Sequence, residues 1–69
     1  MYEQFINQVI EFGYKGEVRR VAVEKVTKAK NGKTMLIGRD AYRDNEHRQF
    51  NTAYIAGPPS VIPMGWGSV

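Results

Sequence analysis

The sequence predicts an all-β fold: a small, strongly bent antiparallel β-barrel of four or five strands, with a short helical turn ahead of it. Three observations carry this expectation. Short segments alternate apolar and polar residues at a spacing of two, the period of a strand with one face in a core. Glycine-containing turns, Asn31-Gly32 among them, separate these segments, as hairpin connections require. The chain has 69 residues, no cysteine and one histidine, so it can assemble neither a disulfide framework nor a Cys/His zinc site. A chain of this size buries only about 60% of its unfolded surface, and a closed sheet or a partner subunit is what remains to stabilise it.

Taken in order, Tyr2 to Asn7 fits helical spacing through Phe5, Ile6, Val9 and Ile10 and reads as one helical turn leading in. Gln8 to Tyr14 places Ile10, Phe12 and Tyr14 on one side and Val9 and Glu11 on the other, the pattern of a first strand. Gly13 and Gly16 mark a tight connection into a long Val-rich strand, Val18 to Val26. Val21 and Val23 share one face there, whereas Val18 and Val26 have the opposite parity, so a β-bulge or a strong bend is expected within the strand. Lys30-Asn31-Gly32-Lys33 is the strongest local signal, a hairpin tip with the type I′ preference of Asn-Gly. Thr34 to Arg39 forms the next strand, a polar loop runs from Asp40 to Glu46, and His47 to Asn51 forms a fourth. Tyr54 and Ile55 read as a helical turn or a core plug. Phe12, Phe50 and Ile37 are expected in the interior.

The composition changes at Gly57. Residues 1–56 make the barrel, and residues 57–69 carry no charged side chain but all three prolines. The three prolines argue against a central strand, although Val61 and Ile62 could form a short edge strand that closes the barrel. The remainder, with Trp66, is expected to pack on the barrel or to dock on a protein partner.

With a net charge of +3 and a pI near 9.5, binding to anions is permitted. The distribution says more: all ten Lys and Arg lie between Lys15 and Arg48, a stretch that carries +5. No run of eighteen apolar residues and no cationic segment followed by an apolar one is present, so neither a membrane span nor a secretory signal is read, and the cytosol is the expected compartment.

Several short strands with Gly-rich turns in so few residues suggest a barrel of the Sm or Src-homology-3-like kind. The order of motifs is narrower. A strand ending in Tyr14, a Lys-Gly turn, Arg20-Val21 on a long strand, a hairpin, Met35-Leu36-Ile37-Gly38-Arg39-Asp40, and then Arg48-Gln49-Phe50 followed by Tyr54-Ile55 resembles the WYL domain over about Val9 to Ile55. Where that family has its Trp-Tyr-Leu triplet, this chain reads Thr34-Met35-Leu36. Proline does not follow Arg20-Val21, and no DNA-binding winged helix precedes the barrel. The resemblance implies a barrel core that binds nucleic acid or a small ligand and regulates another molecule.

Candidate anion ligands are Arg20, Arg39 and Arg48, whose planar forks suit phosphate; convergence of the three would make an anion pocket. Arg19 and Arg20 point to opposite faces, and Arg20 matches the family pattern. Arg48 could instead be a solvated arginine paired with Asp40 or Glu46. Lys28, Lys30 and Lys33 flank the hairpin tip with Lys25 and can reach a phosphate backbone, although lysines also discourage edge pairing. Tyr42, in the polar loop, is the aromatic expected at the surface and a stacking platform for a base.

No catalytic residue, metal site or cofactor is expected. His47 stands alone in a charged stretch, Asp40 and Asp44 alone do not fill a Mg²⁺ shell, and no phosphate-loop signature is present. The function expected is a non-catalytic regulatory module that binds nucleic acid or a nucleotide-like anion. The alternative is a protein-interaction module that docks on a larger enzyme or transcription factor, a brevity that suits a small viral or mobile-element regulator. Self-association into a homo-oligomer is also expected of so small a core.

Overall fold

The structure, a computed structural model, describes residues 2–42 and 44–63. It is all-β: five antiparallel strands in one sheet, β1 (Val9–Tyr14), β2 (Glu17–Lys28), β3 (Thr34–Asp40), β4 (Glu46–Asn51) and β5 (Ile55–Ile62), in the order β4-β3-β2-β1-β5. A 3₁₀ turn, Glu3–Phe5, precedes β1, and a second, Thr52–Tyr54, joins β4 to β5. Asn51 caps the second turn by accepting the Ala53 N–H at 3.0 Å, as Asn does at helix starts.

The sheet curls rather than lying flat. β1 and β4 are three strands apart, about 14 Å in a flat sheet, yet the rings of Phe12 and Phe50 meet edge to face at 5.4 Å. Two local features produce the curl. The β2–β3 register shifts between Val23 and Lys25, which is the bulge that the opposed parities of the valines predict. Opposite it, β3 carries Gly38, where an added Cβ would stand 2.2 Å from the Ala22 carbonyl oxygen. Only a residue without a side chain lets the β2 backbone come this close. The inner face holds Ile10, Phe12, Val21, Val23, Leu36 and Phe50, with Tyr2, Phe5 and Ile6 packed over one end. Tyr14 completes the seam, its hydroxyl accepting the Asn51 N–H at 3.2 Å.

Three expectations require correction. The hairpin tip is where Asn31-Gly32 places it, but it is not type I′. Gly32 N–H bonds to Ala29 O and Ala29 N–H to Lys33 O, and of the tip residues only Gly32 has positive φ, at 82°. This is a three-residue loop with a glycine bulge, in which the Asn31 side chain accepts the Lys33 N–H at 3.1 Å. The two-residue turn with both φ values positive occurs instead at Lys15 (51°) and Gly16 (82°), between β1 and β2. Ile37 is not in the interior; it pairs with Lys25 and Gln49 on the outer face, while its neighbours Leu36 and Gly38 face inward. Of the two readings at Tyr54, the helical turn is the one observed: Tyr54 ends the second 3₁₀ turn and is half exposed. The segment that begins at Gly57 supplies the greater part of β5, an edge strand longer than Val61 and Ile62 alone. Trp66 lies outside the described residues.

Candidate functional site

Each arginine is placed by strand parity and register. Arg20 leaves the outer face of β2 directly opposite Glu11 on β1, and its Nη2 donates to Glu11 Oε2 at 2.7 Å. The same guanidinium lies 5.7 Å over the ring of Tyr42, within cation–π reach. Tyr42 itself is 51% exposed. Its N–H is held at 2.9 Å by Asp40 Oδ1, an Asx-type turn that starts the β3–β4 loop.

Arg39 also stands on the outer face, opposite Ala22 and His47. Its Nε lies 3.4 Å from Glu24 Oε2. Glu24 is shared, because His47 Nε2 approaches both of its carboxylate oxygens, at 2.8 and 3.0 Å. A carboxylate only accepts, so this His47 nitrogen carries the hydrogen.

Arg48 has the other parity. It pairs across from Gly38 on β4, is half-buried, and among the described residues meets no carboxylate within ion-pair distance, Asp40 and Glu46 included. Asp40 is unavailable because it turns inward, where it is fully buried and faces Arg19 Nε at 3.9 Å. Arg19 also pairs with Glu17 at 2.5 Å. The three arginines therefore do not converge: Arg20 and Arg39 share a face, each beside its own acid, and Arg48 stands at the sheet edge.

The hairpin lysines have the opposite character. Lys28 ends β2, Lys30 lies in the turn, and Lys33 follows it; all three are exposed. Residues 25–38 contain four lysines and no acid, and among the described residues none of these lysines forms an ion pair. Tyr42 is at the far end of β3, about 20 Å away for a strand of this length.

One open depression of about 600 Å³ is lined by Lys25, Ile37, Glu46, His47, Arg48 and Gln49. Sequence reasoning missed it, since Lys25 and Ile37 reach β4 only through register. Among the described residues no cluster of three or more His, Cys, Asp or Glu could hold a metal ion, and no helix is long and apolar enough to cross a membrane. Comparison with protein-family models, with curated proteins and with solved structures finds no match.

Proposed function

We propose that this chain is a non-catalytic binding module that contacts the phosphate backbone of nucleic acid through Lys28, Lys30 and Lys33, with Lys25 adding to the local field. One observation carries the reading. The β2–β3 hairpin concentrates four lysines in a stretch, residues 25–38, that has no acid of its own, although Glu3 of the first turn stands close enough to Lys28 to feel its charge, while Arg20 and Arg39 are each held by glutamates. Flexible, solvated lysines contact phosphates without reading bases, so the binding is sequence-tolerant and salt-sensitive. Tyr42 lies too far along β3 to stack on a base held at the tip. The order of motifs shared with WYL domains supports the same class of activity, a regulatory barrel acting through what it binds. In support of a role without chemistry, His47 sits on an open surface with its ring tied to Glu24.

Labelled duplex and single-stranded oligonucleotides titrated across a salt series test this. Three neutralised phosphates give a slope of log K against log salt of about −2.7 on duplex and about −2.1 on single strands. Replacing Lys28, Lys30 and Lys33 by Gln removes that slope, and Arg20→Gln leaves it unchanged. No binding at low salt, or an unchanged slope in the triple variant, refutes the proposal.

A further inference from the structure

The phase of the ladder fixes which backbone groups of β4 are unused. Ala41 N–H donates to Arg20 O at 2.8 Å, so Arg20 and Ala41 form a hydrogen-bonded rung between β2 and β3. The adjoining rung, Val21 with Asp40, is then a non-bonded one, and the backbone of Asp40 faces β4. Alternation along the β3–β4 register turns the amides of Glu46, Arg48 and Phe50 toward β3 and those of His47, Gln49 and Asn51 away from it. The Asn51 N–H bears this out, since it bonds to the Tyr14 hydroxyl. His47 and Gln49 therefore carry the open edge.

The depression follows that edge. Four consecutive residues of β4, Glu46 to Gln49, line it although their side chains alternate between faces, so it runs along the strand and not across one surface. Its outer side is floored by half-buried Ile37. Its charge comes from Lys25 and Arg48, neither of which contacts a carboxylate among the described residues, against the single acid Glu46.

We propose that the free edge of β4 accepts an extended acidic segment of another protein as an added strand. Its backbone bonds to His47 and Gln49. An Asp or Glu side chain lies cross-strand from Arg48, and an apolar β-branched side chain on the alternate face sits beside Gln49 and covers Ile37. Strand addition of this type draws affinity from main-chain hydrogen bonds and selectivity from alternate side chains. A second copy fits less well. Pro58 and Pro59 remove two N–H donors from β5, which blunts that edge. Antiparallel self-pairing of β4 in the register that engages both open amides of each copy, His47 opposite Gln49, would set Arg48 against Arg48, a destabilising like-charge pair. This surface shares Lys25 with the lysine stretch but none of Lys28, Lys30 and Lys33, and it does not depend on the nucleic-acid reading.

The test is titration of the ¹⁵N-labelled full chain with a short capped peptide of alternating Glu and Val, and with its Lys-Val counterpart. The Glu-Val peptide is expected to bind saturably and to slow hydrogen exchange at the His47 and Gln49 amides. Arg48→Glu reverses the preference between the two peptides. Gln49→Pro deletes one edge donor that no strand of the fold uses and weakens binding about tenfold. Should that variant fail to fold, the reversal by Arg48→Glu decides alone. Equal binding of both peptides, or shifts confined to Lys28, Lys30 and Lys33, overturns the proposal. So does exchange protection at His47 and Gln49 that rises with protein concentration alone, which would place a second copy on the edge.

Discussion

Gly38→Ala is expected to be among the most damaging single-methyl changes in this protein. The added Cβ would lie 2.2 Å from the Ala22 carbonyl oxygen, 2.9 Å from its carbonyl carbon and 2.8 Å from Val21 Cγ1. The first distance is roughly 1 Å short of a carbon–oxygen contact of about 3.3 Å. Two of the three atoms are backbone, so no rotamer change relieves the overlap, and β2 must move away from β3 at the bend. Overpacking of this kind costs about 1–3 kcal/mol, and a clash with main chain belongs at the upper end. In a domain of this size each kcal/mol shifts Tm by about 4–8 °C, which predicts a loss of roughly 15–20 °C. Gly13→Ala is the control. Its Cβ would meet Ala56 Cβ at 3.5 Å, an ordinary contact, and the change relieves the usual cost of glycine in a strand. Thermal and urea unfolding followed by far-ultraviolet circular dichroism measures both. A Gly38→Ala protein melting within a few degrees of the parent, or no less stable than Gly13→Ala, refutes the account of how the sheet bends.

Tyr14→Phe removes the acceptor of the Asn51 N–H and is expected to cost about 1 kcal/mol, read as a lower urea midpoint together with faster exchange of the Asn51 amide; unchanged exchange would show that the phenol does not hold the seam. Arg19→Met leaves the buried Asp40 carboxylate without its cation and is expected to cost about 3 kcal/mol. Adding Asp40→Asn to that variant should recover part of the loss, and strictly additive unfolding energies would mean that the two groups are not coupled.

Features that depend on local chemistry were legible in the sequence, and features that depend on register were not. The hairpin at Asn31-Gly32, the edge position of a proline-bearing last strand and the irregularity within β2 each follow from residues close together in the chain. The turn type at the tip escaped because the Asn31 side chain binds the Lys33 N–H, and that competes with the positive φ expected of its own backbone. Ile37 was misplaced because β3 is apolar on both parities, with Met35 and Ile37 on one and Leu36 on the other. Cross-strand register decides which set faces inward: Val23 stands opposite Gly38 and Phe50 opposite Leu36. The acids that hold Arg20 and Arg39 are Glu11 and Glu24, on neighbouring strands. Nearby acids such as Asp40 and Glu46 were the visible candidates for Arg48, but the core claims Asp40. The groove along β4 was hidden for the same reason, as its walls come from strands that meet only after pairing.

The pairing of β1 with β5 sets Val9 beside Ile62 and Ile10 beside Val61. The earliest strand to be synthesised therefore waits for the latest, and a nascent chain that stops short of Ile62 presents β1 with one side unzipped. Such long sequence separations slow folding toward the millisecond-to-second range of non-local β topologies. During that interval the unfinished sheet is most open to capture by other chains.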